Sequence, residues 1–257
     1  MTTIKPVSFQ AIDRACLVLE TLAKQGTMNL NNLHTELKLN KASLLRIMLS
    51  LVENGFVIKD EKTGEYKLSL KLFELGVKAS QNANYPQLIN SELEKLAKNL
   101  NVTAQFSVEE NNELLCLQSV DPNKSSGFSI YTNIGSRSPL YATSAGKAIL
   151  STYSNDEVLE KWKNFRVKKF TPHTITDFDS LLKDLSLTRQ RQYAIDAEET
   201  QPGLFCIGAV LKNYTNRPIG AISLSATELT PEDEKRYSLE LLKSIHLLSA
   251  SMGYTGT

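Results

Sequence analysis

The sequence is poor in the features that mark several large classes of protein. No apolar run approaches the roughly 18 residues that span a bilayer. The opening Met1-Thr2-Thr3-Ile4-Lys5-Pro6 also lacks the apolar stretch of a signal peptide, which predicts a cytoplasmic protein with no membrane partner. Cysteine is scarce. Cys16, Cys116 and Cys206 are an odd number, far apart and without C-x-x-C spacing, so neither a disulfide framework nor a zinc site is suggested and reduced thiols are expected. Catalytic signatures are missing too: there is no G-x-S-x-G, no G-x-G-x-x-G and no H-E-x-x-H. Gly146-Lys147 fails as a P-loop at both ends, because Tyr141 stands where the first glycine belongs and Ala148 replaces the magnesium-binding hydroxyl. His34, His173 and His246 are scattered over three segments and are read as structural or exposed. No catalytic residue, metal or cofactor is predicted.

What is present is an ordinary globular composition, 41% hydrophobic and 22% charged over 257 residues, enough for one large domain or two average ones. The net charge of +1 hides an asymmetry. Residues 1–80 carry 11 Lys and Arg against 8 Asp and Glu, whereas residues 81–257 carry 18 against 20. A mildly basic head on a mildly acidic body is the pattern of a nucleic-acid reader joined to a second activity.

Within 1–80, Ile12, Ala15, Cys16, Leu19, Leu22 and Ala23 recur at helical spacing, and Gly26 stands where a left-handed cap ends the segment. Leu30, Leu33 and Leu37 mark a short second helix. Lys38-Leu39-Asn40 turns the chain, with Asn40 as N-cap of a third helix whose apolar face is Leu44, Ile47, Met48, Leu51 and Val52 and which Gly55 stops. Two helices joined by a tight turn, the second presenting Lys41, Ser43 and Arg46 outward, have the form of a helix-turn-helix. Arg46 would reach a guanine edge or a phosphate, and Lys41 and Ser43 would anchor the backbone of double-stranded DNA. Phe56–Lys59 and Glu65–Leu68 then read as two strands around the polar loop 60–64, which makes the unit a winged helix. Lys59, Lys62 and Lys67 suit phosphate contact, with Lys62 at the tip, although Asp60 and Glu61 there oppose it.

Ser69–Gln81 reads as a linker helix with two apolar strips, Leu70, Phe73 and Val77 on one and Leu72, Leu75 and Ala79 on the other. Such a helix has two partners. Pairing two heads for a two-fold operator is the simplest use, which predicts a homodimer or tetramer.

The blocks Asn40-Lys41-Ala42-Ser43-Leu44-Leu45-Arg46, Gly55-Phe56-Val57, Tyr66-Lys67-Leu68, 139–148, 203–207 and 221–225 together resemble the IclR-type transcriptional regulators. The resemblance runs nearly the whole length and implies an N-terminal winged helix-turn-helix domain with linker helix over 1–80 and a C-terminal GAF-like effector-binding domain over 81–257. Segments 69–76 and 134–141 and the terminal Met252-Gly253-Tyr254 look most like repressors of 2-keto-3-deoxygluconate and pectin catabolism. The DNA-reading helix departs from the common pattern at Ala42, where Ser or Thr is usual, and at Leu45, where a polar or aromatic residue is frequent.

In the rear half the residues predict an α+β fold: a helix over Pro86–Leu100, strands around Thr103–Glu109, Glu113–Val120 and Phe128–Tyr131, and a hairpin of Phe205–Leu211 with Ile219–Ala226. Helices around Ala145–Tyr153, Leu181–Arg189 and Pro231–Met252 flank them, the last capped by Thr230. Alternation in the hairpin puts Cys206, Gly208, Val210, Ala221, Ser223 and Ser225 on one small, partly polar face that leaves space for an oxygen-rich ligand. Thr143-Ser144-Ala145-Gly146 is a helix start suited to a carboxylate. Asp196 would accept hydrogen bonds from ligand hydroxyls, while the run Asp196, Glu198, Glu199, seen as catalytic acids, lacks a positioned partner and reads better as a solvated loop. The resemblance implies that Ser144, Ala145, Asp196, Leu204, Cys206, Ser223 and Ser225 line the effector pocket. The reading that follows is a DNA-binding regulator, a repressor released by a small carboxylic or keto-sugar acid. An enzyme acting on a small acid with an appended helix-turn-helix, or an interaction module that binds no DNA, are the alternatives.

Overall fold

The computed structural model describes residues 10–81, 86–122, 134–213, 215–252 and 254, without the side chains of 79–81. The chain forms two compact units, Met1–Asn84 and Tyr85–Thr257.

The front unit opens with α1 (Gln10–Gln25), which ends where Gly26, at φ 77°, donates its N–H to Leu22 O at 2.9 Å. After β1 (Met28–Asn29), Asn29 caps α2 (Leu30–Leu37), and Lys38 at φ 52° turns the chain toward α3 (Lys41–Glu53). The Asn40 side chain accepts from the N–H groups of Ala42 and Ser43, as its position predicts. Leu44 and Met48 of α3 are fully buried against Val18, Leu22, Leu33 and Tyr66, so the inner face of the helix is consumed by the core. Strands β2 (Val57–Lys59) and β3 (Glu65–Leu68) pair antiparallel, and β1 adds to β3 to give the order β1-β3-β2. The wing loop is held by Asp60, whose carboxylate accepts from Lys62 N at 2.7 Å and Thr63 N at 3.2 Å, with Gly64 at φ 70°. β1 is two residues long, too short for alternation to reveal.

The linker helix α4 (Lys71–Gln81) begins two residues later than its pattern suggests, because Ser69 Oγ turns away to donate to Gly55 O while accepting from Lys71 N. Leu70 and Phe73 of the first apolar strip are 83% and 71% exposed, and Leu72 of the second is half-buried.

The rear unit is α+β. Its six-stranded antiparallel sheet has the order β6-β5-β4-β9-β8-β7, from β4 (Thr103–Glu110), β5 (Glu113–Val120), β6 (Arg137–Pro139), β7 (Ala194–Ala197), β8 (Phe205–Lys212) and β9 (Pro218–Ala226). Asn111 and Asn112, at φ 55° and 62°, make the tight β4–β5 turn. The strand expected at Phe128–Tyr131 lies outside the described residues. Ile207, Ala209, Leu211, Ile222 and Leu224 face α5 (Pro86–Leu100) and α9 (Pro231–Ser251), where Leu93, Leu96, Leu241 and Leu248 complete one core. Thr230 caps α9 through Asp233 N.

The opposite face carries α6 (Ser144–Leu150), α7 (Asn155–Asn164) and α8 (Phe178–Arg191) around Leu140, Ile149, Leu150, Leu181 and Leu185. α6 is shorter than the sequence pattern suggests, and α7 is a largely polar helix with Val158 its one buried residue, which gives apolar periodicity little to show. The start of α6 sits directly on β8. A Cβ on Gly208 would lie 2.6 Å from Ala145 N and from Ser144 C, so only glycine permits the approach.

Candidate effector cavity and nucleic-acid interface

Where α6 meets the sheet, the polar face of the β8–β9 hairpin encloses a cavity of about 90 Å³. The register Cys206↔Ser225 and Gly208↔Ser223 stacks the small side chains of both strands on that face, as alternation predicts. All seven residues named from the resemblance reach its wall: Ser144 and Ala145 at the start of α6, Asp196 on β7, Leu204 before β8, Cys206 on β8, and Ser223 and Ser225 on β9. The sequence reading missed Gln105 and Ser107 of β4, Cys116 of β5 and Thr200, which also line it. A signal for two of them was available, since β4 alternates Thr103, Gln105, Ser107 and its register sets Gln105 opposite Ser223.

Among the described residues Asp196 is the one carboxylate on this wall, and no Lys, Arg or His lines it. It is 1% exposed, and both oxygens are engaged, Oδ1 by Glu199 N and Oδ2 by Thr200 Oγ1, each at 2.7 Å. Burial raises its pKa above the usual 3.8, against the pull of those hydrogen bonds and of Lys147. Cys206 Sγ lies 3.2 Å from Ser225 Oγ. Burial, with the Asp196 charge adding to it, pushes the thiol up to about 12, which keeps it protonated at neutral pH. Burial raises Cys116 in the same way.

The acidic run 196–199 is not a solvated loop. Glu199 is 5% exposed and pairs with Lys147, itself 1% exposed, whose ammonium also lies 3.0 Å from Asp184 Oδ2. Burial lifts the Glu199 pKa to about 7, opposed by Lys147 and assisted by Asp196. Thr171 and Thr174 donate to the carbonyls of Glu198 and Glu199 at 2.6 Å each, pinning the segment. The positioned partner was invisible in sequence because Lys147 and Glu199 are 52 residues apart.

In the front unit Lys41 and Arg46 stand exposed on α3, Ser43 is half-buried, and Lys62 is exposed on the wing. Among the described residues none of these three cations is in an ion pair, whereas Lys59 is held by Glu61 at 3.2 Å. His34 is structural: its Nδ1 is 2.6 Å from Leu39 O in the turn between α2 and α3.

A winged helix-turn-helix and a separate unit enclosing a polar cavity define a ligand-responsive DNA-binding regulator. Residues 77–248 match the family described as Bacterial transcriptional regulator IclR C-terminal, and residues 11–61 match the IclR helix-turn-helix domain. The chain belongs to the IclR family of transcriptional regulators. It is 27% identical over 252 residues to the HTH-type transcriptional regulator KdgR of Escherichia coli (strain K12), covering 97% of this chain and 95% of that protein. The HTH-type transcriptional regulator XynR of the same organism is 25% identical over 248 residues, 95% of this chain and 98% of that one. Among solved structures, the Thermotoga maritima IclR has a TM-score of 0.77 at 25% identity, covering 96% of this chain and 100% of that chain.

Proposed function

We propose that the chain is a homodimeric or tetrameric repressor of a sugar-acid catabolic operon, released when a small carboxylic or keto-sugar acid enters the rear cavity. Residues 1–80 would serve as reader and linker, and 81–257 as a GAF-like effector-binding domain. Lys41, Ser43, Arg46 and Lys62 are the proposed operator contacts, and Ser144, Ala145, Asp196, Leu204, Cys206, Ser223 and Ser225 the effector contacts. The observation that carries the reading is the cavity itself, whose wall, among the described residues, is built of hydroxyls, thiols and one carboxylate. Similarity to the HTH-type transcriptional repressor AllR of Escherichia coli (strain K12), 27% identical over 217 residues, favours a repressor role, and the resemblance carried by segments 69–76 and 134–141 favours a sugar-acid operon. The size of the cavity orders the candidates. At about 90 Å³ it is smaller than the roughly 150 Å³ that holds benzene, so a short keto or hydroxy acid fits as folded and a six-carbon acid needs the wall to move.

The exposed strip of α4 is the surface proposed to pair two heads. A ligand that binds one head arrangement more tightly by about 1–3 kcal/mol changes operator affinity roughly 5- to 150-fold. The test is a thermal-shift screen of pure protein against keto and sugar acids of increasing chain length, with operator binding followed by anisotropy. A true effector raises Tm by mass action and loosens the operator complex. Arg46→Ala should abolish salt-dependent operator binding while leaving the effector shift intact. An acid consumed during the screen would instead make the chain an enzyme.

A further inference from the structure

The outward face of α3 carries more than cations. Ala42, Leu45, Arg46 and Leu49 follow the i, i+3, i+4, i+7 spacing that lies along one side of a helix. Ala42 is exposed, and Leu45 and Leu49 are 40% and 56% exposed. They are not spare core residues. The inner face is already filled by Leu44 and Met48, both at 0% exposure, and by Leu51 at 8%. A DNA-reading helix therefore leaves three apolar side chains in water, beside Lys41 and Arg46, which have no ion-pair partner among the described residues.

Base edges in the major groove are polar with one exception, the C5-methyl group of thymine. Backbone-positioning cations on both sides of an apolar strip match that groove, where phosphates border the base edges. We infer that Ala42, Leu45 and Leu49 make this helix a reader of thymine methyl groups, so that the operator half-site is specified by apolar contact with T·A pairs as well as by Arg46. The inference rests on the proposed DNA-binding role of α3. It adds which bases the helix selects and by what chemistry. Arg46, at one edge of the strip, supplies a long polar reach to a guanine edge or a phosphate. Leu45, one position before it, sits where a polar side chain would have been needed to read adenine or cytosine by hydrogen bonds.

The test uses the full-length chain. Sequences selected from a random duplex pool yield the preferred site, and each thymine of that site is then replaced by uracil, which removes the methyl group and leaves the pairing intact. Binding is measured by anisotropy at one fixed salt concentration. Loss of a contacted methyl should weaken binding about fourfold, the factor expected for one buried carbon group. The same uracil should cost nothing further in Leu45→Ala or in Leu49→Ala, according to which leucine meets that methyl. Both positions are exposed, so both variants keep the fold, and an unchanged thermal melt checks this. Specific binding with no uracil penalty at any thymine, or penalties that persist unaltered in both variants at every thymine, overturns this inference and leaves the DNA-binding role standing. Failure to select any sequence overturns the DNA-binding role and this inference together.

Discussion

In the front unit Lys41, Arg46 and Lys62 stand in solvent with no ion-pair partner among the described residues, whereas in the rear unit Lys147 is 1% exposed and lies between Glu199 and Asp184. A solvated cation keeps its hydration until a polyanion arrives, and the counterions released then favour binding. A buried cation has already lost its water, and only partners in fixed positions offset that cost. Lys41, Arg46 and Lys62 are thus placed to meet a partner outside the chain, whereas Lys147 serves the fold that supports the cavity.

The largest expected effect separates the two directly. Lys147→Met leaves Glu199 buried without its cation, while the half-buried Asp184 keeps Arg191 nearby, and should cost about 3–5 kcal/mol of stability in urea unfolding. Arg46→Ala, at an exposed site, should change stability by less than about 0.5 kcal/mol. Equal urea midpoints for the two variants would break the comparison. A smaller loss is expected from Gly208→Ala, whose methyl would meet Ala145 N at 2.6 Å. Pushing α6 off β8 should lower stability by about 1–3 kcal/mol, read as a drop in Tm, and should shrink the effector-induced thermal shift as the cavity wall moves.

The smallest effect is in pH. Glu199 has its pKa raised from 4.5 to about 7, so the stability it contributes is full below 4.5 and is lost as pH rises through about 7. Asp60 in the wing behaves in the opposite way. The N–H groups of Lys62 and Thr63 hold its pKa below the usual 3.8, and its contribution is lost only as the solution is acidified below that value. Between about pH 5 and about pH 8, Glu199→Gln should flatten the pH dependence of unfolding and Asp60→Asn should leave it unchanged. Denaturant melts across that range check both.

Much of this was legible in the chain before folding. The caps at Asn40 and Thr230, the stop at Gly26 and the tight turn at Asn111-Asn112 all act within a few residues, where side-chain chemistry and backbone preference are local. Alternation in 205–211 and 219–226 likewise foretold which side chains share the cavity face, because a strand has a period of two wherever it is placed. β7 was not legible: Ala194-Ile195-Asp196-Ala197 is too short and mixed to show a period. For the same reason the acidic run after it read as solvated, although the fold buries Asp196 and Glu199. The contributions of Gln105, Ser107 and Cys116 to the cavity became visible only when β4 and β5 took their places in the sheet.

Local order alone therefore determined the elements of the reading head, their caps and the small polar face of the rear hairpin, since each depends on neighbours a few positions away. Tertiary structure decided which distant groups share a dry site: Lys147 with Glu199 and Asp184, and α6 against Gly208. It decided also that Leu45 and Leu49 remain in water, because exposure depends on how much apolar surface the finished core can take, and Leu44, Met48 and Leu51 had already filled it.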